Sequence, residues 1–94
     1  MLFAIYCADK PDHAEVRAAN RGAHLEYLGQ HKDKAVMAGP TLTEDGAGMN
    51  GSLLIMDFDD LAAAKDFAAN DPYAKAGLFA NVEIKPWKKV LPAD

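Results

Sequence analysis

The sequence predicts an α+β fold of the ferredoxin-like type, with elements in the order βαββαβ. Apolar strand-like segments alternate with two amphipathic helical segments, and the two middle strands follow each other without a helix between them. Two β-α-β units then share one sheet, which gives a four-stranded antiparallel sheet with both helices on one face. The 94 residues are about the length of one ordinary domain, so we expect a single domain over residues 1–94.

Composition restricts the classes of partner. Half of the residues are hydrophobic and 26% are charged, as in globular proteins, and the net charge of −4 comes without a basic cluster, so nucleic acid is not an expected partner. Cys7 is the only cysteine and lies in an apolar run, which suits a reducing, cytoplasmic compartment. The opening segment, residues 1–8, has no basic flank and is too short for a secretory core, so neither a signal peptide nor a membrane span is predicted.

The first strand is predicted over residues 1–8, where aromatic and branched side chains mix with small ones. It ends at the turn-forming run Asp9-Lys10-Pro11. Asp12, followed three residues later by Glu15, has the form of a capping box. A long first helix is therefore predicted to begin there and to run to about Lys32.

Two stripes of side chains run along this predicted helix. The apolar stripe is expected to face the sheet and comprises Val16, Ala19, Ala23 and Tyr27. The neighbouring stripe is expected to follow the edge of the buried face and comprises Arg17, Arg21, His24 and Leu28. The second stripe places two cations and an imidazole on one side of the helix.

The middle of the chain predicts two strands joined by a loop. Residues 34–38 carry two apolar side chains and stop at Gly39-Pro40, a dipeptide that ends regular structure, so a short second strand is predicted there. Residues 41–51 hold three glycines and show no period, which predicts a mobile loop. Residues 52–58 are rich in Leu and Ile and predict the third strand.

The last third of the chain predicts a helix, a single helical turn and a strand. Asp59-Asp60 precede an Ala-rich amphipathic helix that should stop at Asn70, because the residue before a proline disfavours helical geometry. Asp71-Pro72 predicts an N-cap with proline at the first helical position, opening one turn that Gly77 closes. Residues 81–87 alternate apolar and polar side chains and predict the fourth strand.

Several short motifs occur in a characteristic order along nearly the whole chain. They are Arg21-Gly22-Ala23-His24-Leu25, Ala38-Gly39-Pro40, Gly51-Ser52, Asp71-Pro72-Tyr73, Ala76-Gly77 and Lys85-Pro86-Trp87-Lys88-Lys89. In this order they resemble the YciI-like family, and the segment 41–50 is more compact than in longer members. The resemblance implies a dimeric α+β barrel with a His and Asp active site, here His24 and Asp71. It also implies relatives that resemble muconolactone isomerases and dehydrochlorinases of aromatic degradation.

His24 and Asp71 each have a structural alternative to a catalytic role. An imidazole can take or give a proton near neutral pH, whereas a lone His at a helix edge is often only a hydrogen-bonded boundary residue. An aspartate before proline caps the next helical turn, but its second carboxylate oxygen can also hold an imidazole N–H. We therefore take both residues as the catalytic candidates.

Four further residues are candidates for binding a substrate. Arg21 and Arg17 could clamp an anionic carboxylate or phenolate, or could instead lie on a solvated helix face with their stems covering apolar surface. Ser52 could orient a substrate oxygen or satisfy the backbone at the start of its strand. Tyr73 is expected in the core, with its hydroxyl reaching the cleft as the alternative.

Metal and cofactor sites are not predicted. His13, His24 and His31 share the first helix, but at about 1.5 Å per residue they lie roughly 16 and 10 Å apart along its axis, too far for one zinc ion. No glycine-rich phosphate loop, nucleotide fingerprint or nucleophile elbow occurs. Chemistry without a cofactor is the expectation.

Two hypotheses about function follow. In the first, the protein is a cofactor-independent isomerase, lyase or dehydrochlorinase that uses His24 as a base on a small, anionic or aromatic-derived substrate. In the second, the same cleft binds a small molecule or partner without chemistry. The sequence also predicts a homodimer: if Val82 and Ile84 face the helices, Trp87 lies on the opposite sheet face, where a second subunit can cover it.

Overall fold

The computed structural model describes residues 1–93 as a four-stranded antiparallel sheet with helices on one face. The strands are β1 (Leu2–Asp9), β2 (Ala35–Leu42), β3 (Met49–Asp57) and β4 (Phe79–Trp87), in the spatial order β2-β3-β1-β4. The helices are α1 (Ala14–Gln30), α2 (Leu61–Ala69) and the one-turn α3 (Pro72–Lys75), and a 3-10 turn at Lys32–Lys34 precedes β2. The predicted ferredoxin-like βαββαβ fold is confirmed.

The core lies between the sheet and the helices, on one face of the sheet. In the central strand β1, Ile5 lies opposite Leu54 of β3 and Ile84 of β4. Alternation along each strand puts every second side chain on this face. The buried cluster comprises Phe3, Ile5, Cys7, Leu54, Met56, Phe58, Ala64, Phe67 and Ala68.

Strand β2 continues through Gly39 and Pro40, so the prediction that this dipeptide ends the strand was wrong. The physical reason is its place at the edge of the sheet, where β2 pairs with β3 alone. Proline has no N–H to donate, and an edge strand has an unpaired side on which none is needed.

The connection between β2 and β3 is also shorter than the loop predicted over residues 41–51. The two strands extend to Leu42 and from Met49, and only six residues connect them. Thr43 N–H donates to the Gly48 carbonyl at 2.8 Å, and the Asp45 carboxylate accepts from the Thr43 hydroxyl at 2.6 Å. Side-chain and backbone hydrogen bonds thus order a segment whose glycines suggested mobility.

Helix α1 begins and ends inside its predicted range. Asp12 has φ 59°, a left-handed conformation, and does not cap the helix; the N-cap position is His13, without a side-chain cap. The predicted capping box is therefore wrong. Aspartate tolerates the left-handed region better than most residues, so Asp12 forms the turn before the helix.

The buried face of α1 differs from the predicted apolar stripe. Ala19 and Ala23 are exposed, whereas Arg17 and His24 are 5% and 6% exposed and are the buried residues of the helix. A charged or polar group can be buried when a partner satisfies it. Both partners come from other elements, so the periodicity of one helix could not reveal them.

Carboxylates cap the last two helices, which confirms the predicted N-cap at Asp71. The Asp60 carboxylate accepts from Ala63 N–H at 2.8 Å, and the Asp71 carboxylate accepts from Tyr73 N–H at 2.9 Å. Gly77 closes the α3 turn with φ 76°, which favours glycine. Within residues 1–93, none of the helices combines the length and apolar character needed to cross a membrane.

Gly51 is required where β3 approaches its neighbours. A Cβ at this position would lie 2.5 Å from the Cys7 carbonyl oxygen and 2.5 Å from Thr41 Oγ1. We expect Gly51→Ala to lower the free energy of unfolding by about 1–3 kcal/mol, because the strands must separate to admit the methyl group. Urea unfolding measures this change.

The matched control is Gly39→Ala, also within a strand, where an added Cβ meets nothing within 4 Å. Equal stability losses in the two variants would contradict the steric explanation.

The sheet face opposite the helices carries exposed apolar side chains. Trp87 lies opposite Leu2, and Tyr6 lies opposite Leu53; these residues alternate with Phe3 and Ile5, which point to the core. Tyr6 and Leu53 are 40% and 44% exposed. The predicted alternation in the fourth strand is therefore confirmed, since Ile84 packs against the core and Trp87 points away from it.

Candidate active site

His24 and Asp71, which are 47 positions apart in sequence, are in direct contact. His24 Nδ1 lies 2.9 Å from both carboxylate oxygens of Asp71, and both side chains are buried. Asp71 Oδ1 also accepts from Tyr73 N–H as the N-cap of α3. The capping role and the imidazole contact therefore coexist in one carboxylate.

The contact with Asp71 defines the tautomer of His24. An ionised carboxylate only accepts hydrogen bonds, so Nδ1 carries the proton and donates. In the neutral ring, Nε2 then has a free lone pair. This arrangement is the one that a proton-accepting imidazole needs.

His24 lines a cavity of about 130 Å³ between α1, α3 and strands β2 and β3. No hydrogen bond within residues 1–93 involves Nε2, whereas every fully buried side-chain nitrogen or oxygen in this part of the chain has a partner, so Nε2 is accessible. The apolar part of the wall includes Leu25, Leu28, Pro40 and Leu54. The polar part of the wall is Arg17, Arg21, His24, Ser52 and Tyr73.

Tyr73 stacks on the His24 ring. Their ring centroids are 4.0 Å apart with an interplanar angle of 17°, and Tyr73 is almost completely buried. Burial raises the pKa of the Tyr73 hydroxyl, while the positive charges of Arg17 and Arg21 partly offset this shift. The phenol is thus neutral at physiological pH and holds the imidazole plane in place.

Arg17 is a member of a buried ion pair. Its Nε donates to Asp9 Oδ2 at 2.7 Å, its Nη2 donates to Asp9 Oδ1 at 2.8 Å and to Ser52 Oγ at 3.1 Å, and its Cζ lies 4.6 Å from the Tyr73 ring centroid. Burial lowers the pKa of Arg17, but the hydrogen bonds and charge of Asp9 outweigh it and the net pKa is raised. The solvated-face alternative for Arg17 was wrong.

Arg21 is exposed one helical turn further along α1, on the rim of the cavity. No hydrogen bond or ion pair within residues 1–93 involves its guanidinium. It therefore remains available to an anion entering the cavity, in contrast to Arg17.

Asp9 is the ion-pair partner of Arg17, although the sequence suggested only a turn-forming residue. It ends β1, eight positions before Arg17, and its carboxylate is buried. An acid at the end of a buried strand, next to a helix carrying arginines, was the available signal. The predicted strand stopped at residue 8, so its alternation was not extended to Asp9, which is the last residue of β1.

Cys7 is buried, and the charges of Asp71, Asp9 and Arg17 act on its thiol. The thiol is not activated. Burial, with the negative charges of Asp71 and Asp9, raises the pKa of Cys7 to about 12. The thiol stays protonated at neutral pH and is a poor nucleophile.

The other two histidines lie apart from the cavity. His13 Nδ1 is 2.7 Å from the Pro11 carbonyl, and His31 Nδ1 is 2.9 Å from the Tyr27 carbonyl. Across the described part of the chain, no three His, Cys, Asp or Glu side chains form a cluster suited to a metal ion.

Comparison with known proteins gives consistent matches over nearly the full length. The family description "YCII-related domain" matches residues 1–88. An uncharacterized protein of Haemophilus influenzae is 42% identical over 98 aligned positions, and Protein YciI of Escherichia coli is 41% identical; each alignment covers 97% of this chain and 100% of the relative.

A solved structure is also similar to the whole chain. It is the 5-chloro-2-hydroxyhydroquinone dehydrochlorinase TftG of Burkholderia phenoliruptrix AC1100, in complex with 2,5-dihydroxybenzoquinone. The two proteins are 42% identical, the match covers 100% of both chains, and the TM-score is 0.90.

Proposed function

The chain belongs to the YCII-related domain family, and on this premise we propose that it is a cofactor-independent enzyme that moves protons on a small hydroxylated ring compound. The observation that carries the proposal is the His24 and Asp71 pair: Asp71 holds Nδ1, and His24 lines the cavity with Nε2 unbonded. A base must reach the proton it abstracts, and Nε2 is the ring atom free to do so.

The size and lining of the cavity suit one six-membered ring. Its volume of about 130 Å³ is close to that of cavities of roughly 150 Å³ that bind benzene. Leu25, Leu28 and Leu54 supply apolar contacts, and Arg21 supplies a positive charge for a phenolate or carboxylate at the rim. The likeness to TftG supports a chlorinated hydroxyhydroquinone as the first substrate to test.

Loss of hydrogen chloride from such a ring needs proton transfers and the departure of chloride. Two ring hydroxyls lose their protons and become carbonyls, one proton is placed on the carbon that bears chlorine, and chlorine leaves as chloride with the electron pair of the C–Cl bond. Atoms and electrons balance without an oxidant. A single imidazole can accept the proton of the first hydroxyl, donate it to the carbon that bears chlorine, and then accept the proton of the second hydroxyl as chloride leaves.

In this proposal each polar side chain of the cavity wall has a role. His24 transfers protons, and Asp71 holds its tautomer and stabilises the imidazolium. Arg21 binds the substrate anion, Ser52 binds a substrate oxygen, and Tyr73 supports the imidazole ring from one side. Arg17 donates a hydrogen bond to the Ser52 hydroxyl oxygen.

The experiment is an anaerobic chloride-release assay with 5-chloro-2-hydroxyhydroquinone, with a panel of lactones and related enolisable compounds assayed in parallel. We expect turnover well above the uncatalysed rate for at least one of these compounds. Tight binding of 2,5-dihydroxybenzoquinone with no turnover across the panel would contradict an enzyme and support a small-molecule-binding protein.

We also propose that the chain forms a homodimer through the open sheet face. Tyr6, Leu53 and Trp87 lie exposed on this face, and a second copy packed on it would add the apolar burial that a short chain lacks. Sedimentation at micromolar concentration should give the mass of a dimer. We expect Leu53→Glu to give a monomer, because the charge would be buried in the interface.

The control for the dimer is Leu61→Glu, an exposed leucine on α2 rather than on the open face. This variant should remain dimeric. A folded, monomeric wild-type protein would show that the open face needs no second copy.

A further inference from the structure

Side chains with polar groups lie deep in the cavity, whereas its exposed wall is mainly apolar. The buried lining residues are Leu54 and four residues that carry a polar group: Arg17, His24, Ser52 and Tyr73. The exposed lining residues form the entrance and, apart from Arg21, have no polar side chain: Leu25, Ala38, Gly39, Pro40 and Met49. A ligand that fits this wall has its hydrogen-bonding groups inside and an apolar part at the entrance.

Leu25 and Met49 are the large, flexible apolar side chains of this entrance. Leu25 follows His24 on α1 and is 47% exposed, and Met49 begins β3 and is 41% exposed. A ligand atom that covers them removes apolar surface from water on both partners, which is favourable in proportion to the area buried. The unbranched thioether of methionine can follow the shape of such a ligand.

The homodimer proposed above does not account for the exposure of these two side chains. Leu25 lies on α1, and Met49 lines the cavity on the helix side of the sheet. The proposed dimer uses the opposite face of the sheet, so a second copy packed there leaves the entrance uncovered.

We propose that Leu25 and Met49 are specificity-determining residues that contact an apolar substituent of the bound ring, such as chlorine or a short alkyl group, at the entrance of the cavity. The inference rests on the proposed function, since it takes the cavity as the ligand site. The ligand class is thereby narrowed to rings that carry an apolar substituent opposite their oxygen-bearing edge.

The test is the affinity for phenol, 4-methylphenol and 4-ethylphenol, measured by titration calorimetry at neutral pH. All three are uncharged at this pH and differ mainly in apolar area. Each added carbon should lower Kd by about 3-fold, because it leaves water for contact with the entrance. 4-Ethylphenol should therefore bind about 10-fold more tightly than phenol.

Glutamine substitutions assign this difference to the two side chains. Leu25→Gln and Met49→Gln keep long side chains but make the entrance polar, and each should reduce the 10-fold advantage of 4-ethylphenol to about 3-fold. The double variant should abolish it. Both side chains are already about half exposed, so the variants should fold, and circular dichroism checks this.

Leu42→Gln is the matched control. Leu42 lies opposite Met49 in the sheet and is 51% exposed, but it does not line the cavity. This variant should retain the full 10-fold advantage. Equal Kd values for the three phenols, or an unchanged advantage in the double variant, would overturn the proposal. Failure of the wild-type protein to bind any of them would overturn the assigned ligand class.

Chloride release is a separate measurement, so the two proposals can fail independently. A protein that shows the graded affinity but releases no chloride supports the role of the entrance and contradicts the proposed reaction. A protein that releases chloride but binds the three phenols equally contradicts the role of Leu25 and Met49, and the proposed reaction stands.

Discussion

Replacement of His24 by glutamine is expected to lower kcat for chloride release by about 10²–10⁴-fold. Glutamine is polar and of similar length, and its amide can still donate a hydrogen bond to Asp71, but it cannot accept and return a proton. The affinity for 2,5-dihydroxybenzoquinone should stay close to that of the wild-type protein, because the cavity wall is retained. Steady-state kinetics and calorimetry on the same preparation separate the two effects.

His31→Gln is the matched control for this experiment. His31 follows α1 and bonds to the Tyr27 carbonyl, away from the cavity. Its replacement should leave both rate and affinity unchanged. A His24→Gln variant that releases chloride at the wild-type rate would remove the basis for a catalytic imidazole.

The second large effect is expected on replacement of Asp71, which caps α3 and also contacts His24. Two substitutions separate its contribution to stability from its contribution to kcat. Asp71→Ala removes the N-cap of α3 and leaves the buried His24 without its partner, so it should lower the free energy of unfolding by about 2–4 kcal/mol. Asp71→Asn retains an oxygen for Tyr73 N–H and should fold. Its kcat should nevertheless fall by about 10²–10⁴-fold, because an amide does not stabilise an imidazolium.

Asp60→Ala measures what the loss of an N-cap alone does to the free energy of unfolding. Asp60 caps α2 by accepting from Ala63 N–H, and no histidine is bonded to it. Loss of this cap should lower the free energy of unfolding by about 1 kcal/mol. If Asp71→Ala costs no more than Asp60→Ala in urea unfolding, the contact with His24 contributes nothing to stability.

Local signals and short motifs in the sequence were sufficient for the fold and for most residues of the candidate site. The Asp71-Pro72 pair predicts its own helical turn, because capping depends on neighbours two residues away. The order of strands and helices follows from the segment pattern, and the structure has the same order. The motif carrying His24 pointed to a position on α1 that the structure places against Asp71.

What the sequence could not predict depends on contacts between elements. Arg17 is buried because β1 supplies Asp9, and nothing on α1 indicates that partner. The same is true of the alanines at 19 and 23, which remain exposed although they continue an apolar period. Pro40 lies within a strand because that strand is at the sheet edge, a property of the whole topology.

We propose that the His24 imidazole transfers the proton during turnover. The most direct test compares the NMR titration of the His24 ring in the free protein with the pH dependence of kcat/KM, which reports groups of the free enzyme. We expect the low-pH limb of the rate profile and the His24 titration to fall over the same pH interval. A low-pH limb that is displaced from the His24 titration, or that persists in His24→Gln, would contradict it.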